Sequence, residues 1–188
     1  MVLADHEIKK LLDEGKLTVE PLNPDVQIQP AGIDLRLGNE FRVFKATPVP
    51  YLDTRKEPQD YTEVVRIEGD QPFIMDPGEF VLGIVREYIR LPGFLMGSVD
   101  GRSSLGRLGI TIHATSASIN PGWEGRFVLE ISNMGKMPVA LYPGMRVAKL
   151  TLHKLSSPAE KPYGETKDAK YQGQDGVQKS KIHEDIKT

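Results

Sequence analysis

Four Pro-Gly pairs divide the chain into short segments. The pairs begin at Pro77, Pro92, Pro121 and Pro143. Proline presets φ for the second position of a tight turn and glycine adopts the positive φ that follows, so each pair predicts a turn. The segments between them are rich in the β-branched and aromatic residues typical of strands. The pattern therefore predicts a mainly β domain, as a sandwich, jelly roll or barrel of many short strands.

One helix is predicted, at the N-terminus. Asp5 is its expected N-cap, Ile8, Leu11 and Leu12 form an apolar stripe, and Gly15 ends it.

Strands account for most of the remaining chain. Apolar and polar residues alternate over 33–37, and Gly38-Asn39 then predicts a hairpin into a strand at 41–44. The polar, proline-rich segment 46–60 is predicted to be a surface loop. Further strands are predicted at 61–68, 80–86, 94–99, 110–115, 126–132 and 146–155.

The composition excludes several classes of function. The chain has 24 Lys and Arg against 26 Asp and Glu, so its net charge of −2 argues against a nucleic-acid partner. It has no cysteine, which excludes disulfides, cysteine nucleophiles and thiolate zinc sites, and the spacing of its four histidines indicates no other zinc site. There is no apolar run of membrane-spanning length and no signal-peptide pattern. We therefore expect a cytoplasmic protein without a membrane partner.

The segment 101–109, Gly-Arg-Ser-Ser-Leu-Gly-Arg-Leu-Gly, is a candidate phosphate site. Asp100 or Ser103 could cap a short helix here, and the unpaired N–H groups of a helix start suit an anion. Arg102 adds charge-assisted hydrogen bonds. On a helix Ser103 and Arg107 share a face. The alternative is a turn whose Arg and Ser side chains satisfy its own backbone.

Glu130 is a candidate general base. It lies in the predicted strand 126–132, where Phe127, Leu129 and Ile131 are expected to face the core. A carboxylate fixed on a rigid strand beside a pocket is well placed to accept a proton. The alternative is a solvated glutamate on an outer face. Trp123, the single tryptophan, is interpreted either as a core aromatic or as a platform for a sugar or base.

Two further segments have structural interpretations. Asp34 lies among apolar residues of a strand, so a buried or interface salt bridge is expected. The segment 161–188 is charged and has few large apolar side chains, so it is either a disordered tail or a segment that orders against something else.

The chain resembles the dUTPase-like nucleotide enzymes and, within that superfamily, most closely the dCTP deaminases. The resemblance extends from the first helix to about Ile182, because the motifs occur together and in the same order. They are Ala-Gly-Ile-Asp-Leu (31–35), Arg-Ser-Ser-Leu-Gly-Arg-Leu-Gly (102–109), Ile-Asn-Pro-Gly-Trp-Glu-Gly (119–125), Pro-Gly-Trp-Glu-Gly-Arg-Phe-Val-Leu-Glu (121–130), Pro-Gly-Met-Arg-Val-Ala (143–148) and Asp-Ala-Lys-Tyr-Gln-Gly-Gln-Asp-Gly (168–176).

The resemblance implies a fold and an assembly. The expected fold is a distorted β-barrel or jelly roll with one N-terminal helix. Residues 1–160 would form the barrel domain, and residues 161–188 its C-terminal lid or tail. The expected assembly is a homotrimer with sites between subunits.

The resemblance also implies a reaction. Hydrolytic deamination would convert dCTP to dUTP and ammonia, supplying dUTP for dTTP synthesis, with no zinc. Glu130 would activate the water, Ser103 would position it and Arg107 would orient Glu130. Magnesium would be bound through the substrate triphosphate, and dTTP is a candidate inhibitor.

The substrate contacts carry over residue by residue. Thr115 would read the cytosine edge, and Trp123 would lie near the deoxyribose. The remaining set would hold the triphosphate: Arg102, Ser103, Ser104, Tyr163, Lys170 and Gln174.

One departure from the family pattern bears on the product. At the position of Asn120 these enzymes usually carry Asp, which in the dUTPase branch activates water against the triphosphate. Asn cannot act as a base, so dUTPase or bifunctional deaminase–diphosphatase activity is disfavoured, and the contact of Asn120 with the sugar stays open. A non-catalytic nucleotide-binding β-barrel is the remaining alternative.

Overall fold

The computed structural model describes residues 1–46, 50–57 and 61–186, and within these ranges the chain is mainly β. The helices are α1 (Asp5–Asp13), α2 (Pro24–Gln27) and α3 (Ser103–Gly106), with 3-10 turns at Tyr163–Glu165 and Ile182–Ile186. The strands are β1 (Thr18–Glu20), β2 (Ile28–Gln29), β3 (Gly32–Phe44), β4 (Thr62–Arg66), β5 (Phe73–Met75), β6 (Phe80–Arg90), β7 (Leu95–Gly101), β8 (Ile110–Ile112), β9 (Ser118–Ile119), β10 (Glu124–Asn133), β11 (Val139–Leu141) and β12 (Arg146–Lys154).

Most strands belong to one curled sheet of ten strands. Its main path runs β8-β10-β6-β3-β12-β7-β9, with β1 paired to β6 and with β2 and β4 paired to β3. Strands β5 and β11 form a separate pair. Fully buried side chains such as Leu35, Phe41, Leu129 and Leu150 fill the inside of the curl. The predicted strands from 61–68 to 146–155 are all present, with shifts at their ends.

The predicted hairpin at Gly38-Asn39 is wrong, because the chain continues there as a single strand. The first half of β3 pairs with β12 and the second half pairs with β4 and β6. A Cβ at Gly38 would lie 2.8 Å from the Cγ2 atom and 2.9 Å from the carbonyl oxygen of Ile84. The glycine therefore permits close approach of two backbones where the strand passes between two halves of the sheet.

Helix α1 is confirmed, but its cap is Ala4 rather than Asp5. The Ala4 amide donates to the Glu7 carboxylate at 2.9 Å, and the Ala4 carbonyl accepts the first helical bond from Ile8. Asp5 lies in the first turn, where its charge complements the helix dipole. Gly15 follows the helix with φ 65°, as its predicted role as terminator requires.

Asp34 forms the predicted buried salt bridge. Its carboxylate lies 3.0 Å from Nη1 of Arg146 and 3.6 Å from Nε of Arg102.

The C-terminal segment packs against the barrel of its own chain. The sequence leaves two possibilities for this segment, a disordered tail or a segment that orders against something else, and the described part takes the second. Gln174 exchanges two hydrogen bonds with Arg126 of β10, one from the Arg126 amide at 2.7 Å and one from the Gln174 side chain at 3.0 Å. Val177 is 2% exposed and is held by both Glu40 and Arg42 of β3. The segment thus crosses from β10 to β3.

Two sequence expectations fall partly outside the described residues. In the predicted loop 46–60, residues 50–57 form bends and turns with mostly exposed side chains. Residues 47–49 and 58–60 of this loop are outside the described residues. Among the described helices, none is long and apolar enough to cross a membrane.

Candidate active site

The floor of the main pocket is one face of three neighbouring strands. Glu130 of β10 pairs with Leu82 of β6, and Leu82 pairs with Arg42 of β3. These three residues therefore form one row across the sheet, and all of them line the pocket. Because the strands are long and central, the row is held rigidly.

The walls of the pocket come from the segment after β8 and from the C-terminal segment. The enclosed volume is about 490 Å³, a size that suits a nucleotide-sized ligand. Its lining combines aromatic rings with polar groups. The lining residues are Arg42, Phe44, Tyr61, Thr62, Phe80, Leu82, His113, Ser116, Ser118, Ile119, Asn120, Trp123, Phe127, Val128, Glu130, Tyr163, Tyr171, Gln174, Gln178, Lys179 and Ser180.

Glu130 faces this pocket, but strict alternation does not describe its strand. Leu129 and Ile131 are buried as predicted. Phe127, which is predicted to share their core face, packs against the core and also lines the pocket together with Glu130. The pairing of β10 with β6 shifts register between Arg126 and Val128, and this irregularity breaks the two-residue period.

Thr115 holds the Glu130 carboxylate directly. Its hydroxyl donates its one proton to the carboxylate, whose two oxygens lie 2.8 and 2.9 Å away, and its amide donates to one of these oxygens at 3.1 Å. Hydrogen bonds to an ionised acceptor are the stronger kind and fix its orientation. The carboxylate is thereby presented in a single orientation at the edge of the pocket.

His113 brings Thr115 to this position. It has a left-handed backbone with φ 61°, and its amide donates to the Glu130 carbonyl at 2.8 Å. Its ring Nε2 lies 2.7 Å from the Ser116 carbonyl, and its ring packs edge-on against Phe127. The chain is thus folded back after β8 so that Thr115 meets Glu130.

Trp123 has features of both sequence interpretations. It is 6% exposed and packs against Phe127, as a core aromatic would, and it also lines the pocket. Its indole N–H donates to the Tyr171 carbonyl at 3.2 Å. The single tryptophan therefore connects the pocket to the C-terminal segment.

Of the three predicted ligands in the C-terminal segment, two reach the pocket. Tyr163 and Gln174 line it, and the Tyr163 hydroxyl accepts the Tyr171 amide at 3.3 Å. Lys170 does not line the pocket, because its ammonium is paired with Asp185. This hydrogen bond raises the pKa of Lys170 above its ordinary value.

The predicted residues of α3 do not meet Glu130 within one chain. Ser103, Ser104 and Arg107 are exposed, and among the described residues none of their side chains hydrogen-bonds Glu130. Arg102 points elsewhere, toward Asp34 and the carbonyl of Arg146. The N-cap of α3 is Arg102, not Asp100 or Ser103, and no side chain caps it.

Asn120 lies at the pocket mouth. Its side chain is exposed and makes no hydrogen bond to the described residues, while its carbonyl accepts the Trp123 amide at 3.2 Å across the Pro-Gly turn. The exposed carboxamide of Asn120 is therefore accessible from the pocket.

Sequence reasoning missed several pocket residues. The sequence position of His113, directly before Ala-Thr-Ser, indicated that it lies near the site. Its positive φ could not be predicted, because histidine adopts this conformation only rarely. Arg42 and Gln178 gave none, because their position depends on strand pairing and on how the tail crosses the sheet. In the part of the chain that the structure describes, no three His, Asp or Glu side chains group as metal ligands.

The curled, mainly β sheet has a counterpart among solved structures. The crystal structure of 2′-deoxycytidine 5′-triphosphate deaminase from Agrobacterium tumefaciens is similar to this fold. It has a TM-score of 0.64 and 26% sequence identity over 81% of this chain and 47% of that chain. The predicted fold class is confirmed.

The family follows from the sequence itself. A family model described as dCTP deaminase-like matches residues 2–155, so the chain belongs to the dCTP deaminase-like family. A dCTP deaminase of the dUMP-forming kind from Methanosphaera stadtmanae is 50% identical, over 98% of this chain and 95% of that protein. A dCTP deaminase from Haloarcula marismortui is also 50% identical, over 98% of this chain and 96% of that protein.

Proposed function

We propose that this protein deaminates dCTP hydrolytically, with Glu130 as the general base. The observation that carries the proposal is the Glu130 carboxylate, fixed on a central strand at the edge of a nucleotide-sized pocket. Membership of the dCTP deaminase-like family supports the substrate. The expectation of a cytoplasmic location is part of the same proposal.

Glu130 would carry both halves of the proton transfer. It takes a proton from water while the water oxygen bonds to C4 of cytosine. It then delivers that proton to ring nitrogen N3, takes the proton of the new C4 hydroxyl and passes it to the amino group. The C4–N bond breaks, ammonia leaves and a uracil ring remains. One positioned group of this kind typically contributes roughly 10²–10⁴-fold to the rate.

Thr115 would serve the reaction through Glu130. A carboxylate must keep a lone pair available in the right direction to accept a proton, and the Thr115 hydroxyl and amide fix that direction. Thr115 would thus act on the general base Glu130, whereas the family resemblance implies that it reads the edge of the cytosine ring.

Ser103 and Arg107 would reach the site from a second copy of the chain. Both are exposed and separate from Glu130 within one chain, as expected if the sites lie between subunits of a homotrimer. Ser103 would position the water and Arg107 would orient Glu130, and Ser104 and Arg102 would complete the anion contacts.

The triphosphate would lie toward the start of β10. Tyr163 and Gln174 line the pocket there, and Lys170 would have to exchange Asp185 for phosphate. Magnesium would be bound mainly by the phosphates and water, as this ion prefers. Trp123, which also lines the pocket, would contact the deoxyribose, and dTTP is a candidate inhibitor.

The nucleotide product has two candidates. Asn120 favours dUTP, because a carboxamide cannot activate water against the triphosphate. The dUMP-forming relatives at 50% identity favour release of dUMP and pyrophosphate. We propose dUTP, on the chemistry of this chain's own residue.

Product analysis tests both parts. The protein is incubated with dCTP and magnesium, and ammonia, dUTP, dUMP and pyrophosphate are quantified. We expect ammonia and dUTP in equal amounts. Pyrophosphate in equal amount would overturn the dUTP assignment, and absence of ammonia would overturn deamination. The variant Asn120→Asp, which restores a carboxylate, is the informative comparison for pyrophosphate release.

A further inference from the structure

We propose that Gln178 reads the amino edge of the nucleobase and makes the pocket select cytosine over uracil nucleotides. The side chain lines the pocket, and its amide oxygen is buried without any hydrogen-bond partner among the described residues. The inference rests on the proposed function, because it takes the substrate ring to lie beside Glu130.

The path of the C-terminal segment fixes where Gln178 lies. Gln174 is tied to Arg126 on β10, at the end of the pocket where the triphosphate ligands gather. Three residues later, the Val177 amide donates to Glu40 at 2.8 Å and its carbonyl accepts Nε of Arg42 at 2.7 Å, both on β3. Gln178 follows immediately, so its backbone is held beside Arg42.

Arg42 belongs to the same row as Glu130. The two residues are separated across the sheet by Leu82 alone. Neighbouring strands lie about 4.8 Å apart, so the two backbones are roughly 10 Å apart. Glu130 extends from one end of this row, and Gln178 is held beside its other end. The two side chains can approach one pyrimidine ring from two directions, with Glu130 at C4 and Gln178 beside the group attached to C4.

An unpaired acceptor distinguishes the two bases. The amino group of cytosine donates hydrogen bonds, whereas the corresponding oxygen of uracil only accepts them. The Gln178 amide oxygen is unsatisfied in its present orientation, so it can gain a bond from the amino group without turning. Against uracil two acceptors would face each other, which weakens binding of the deaminated product.

A matched glutamine separates this role from a purely structural one. Gln172 lies in the same segment, but its amide oxygen accepts the Glu124 amide and its amide nitrogen donates to the Gly122 carbonyl. Gln172→Met therefore loosens the segment without touching the base. Gln178→Met removes the free acceptor and keeps the length of the side chain.

Both substitutions are made in a Glu130→Gln background, and binding of dCTP and of dUTP with magnesium is measured by calorimetry. For Gln178→Met we expect about tenfold weaker dCTP binding, the typical effect of one hydrogen bond to a buried acceptor, with dUTP binding unchanged or tighter. For Gln172→Met we expect both nucleotides to weaken by the same factor.

Two outcomes overturn the inference, and they are distinguishable. If both nucleotides bind and Gln178→Met leaves their affinity ratio unchanged, Gln178 does not read the base. If neither nucleotide binds the Glu130→Gln protein, the proposed function fails and the inference fails with it.

Discussion

At the scale of single residues, the main feature is the pairing of Thr115 with Glu130. One residue supplies a hydroxyl and an amide to the same carboxylate, and His113 in a left-handed conformation makes this approach possible. The carboxylate is consequently fixed on two sides, by its strand and by the folded-back segment after β8.

Replacing Glu130 by Gln should abolish turnover while substrate still binds. The substitution keeps the shape of the side chain but removes its ability to accept a proton, so we expect a loss of at least about 100-fold in kcat. Steady-state kinetics and equilibrium dCTP binding measure the two properties separately. A Gln variant that retains more than about a tenth of the wild-type rate would show that another group is the base.

Replacing Thr115 by Val should lower kcat by about tenfold with little change in KM. The isosteric substitution removes the hydroxyl that donates to Glu130 but keeps the amide, and a hydrogen bond to a charged group typically has an effect of this size or larger. Thr115→Ser restores the hydroxyl and should restore most of the rate. Full activity in Thr115→Val together with a loss in Thr115→Ser would mean that the threonine methyl, not its hydroxyl, is what matters.

At the scale of elements, the C-terminal segment is an integral part of the pocket. It contributes Tyr163, Tyr171, Gln174 and Gln178 to the lining, and Val177 to the buried set. Within the segment, Lys170 and Asp185 form an ion pair. Because that contact raises the pKa of Lys170, its stabilisation is complete below the ordinary lysine pKa of about 10.4 and is lost only as the pH rises through the raised value.

Deleting residues after Pro162 should leave a folded barrel without activity. The last strand ends at Lys154, so the sheet stays complete, but the pocket loses one wall. Trp123 would lose its contact with the Tyr171 carbonyl. Its fluorescence should therefore shift to the red while the far-UV circular dichroism keeps its β signature. Full dCTP deamination by the truncated protein would show that the segment is not required.

Elements formed by interactions between residues close in sequence could be predicted, and features that depend on contacts between distant strands could not. Pro-Gly turns and alternation are local, and the strands from 61–68 onward were found from them. Gly38 was misread as a turn, because its role depends on contact with Ile84 on another strand. Phe127 packs against the core as predicted, but its place in the pocket lining depends on a register shift between paired strands, which leaves no trace in one strand's sequence.

At the scale of the whole molecule, one chain contains only part of the predicted machinery. Glu130 lines the pocket and Thr115 holds its carboxylate, whereas Ser103 and Arg107 are exposed on or beside α3. The candidate set was identified from the sequence by family resemblance, but which of its members meet within one chain depends on the fold. Their separation is what an assembly with shared sites requires.

Mixing two inactive variants should therefore restore activity. Glu130→Gln and Arg107→Ala are each expected to be inactive as pure oligomers. If the two residues act across a subunit boundary, one site of the three in each mixed trimer has both residues intact. Refolding equal amounts of the two variants together should then restore about a quarter of the wild-type rate. A mixture that stays as inactive as its components would place both residues in the same subunit's site.

The most direct test of the account uses zinc-free protein and water labelled with oxygen-18. With dCTP and magnesium, water activated by Glu130 should deliver one labelled oxygen to C4 of the uracil ring, with release of one ammonia and no label in the phosphates. The Glu130→Gln protein should produce no labelled ring above background. Absence of label at C4, or activity that appears only when zinc is added, would contradict the account.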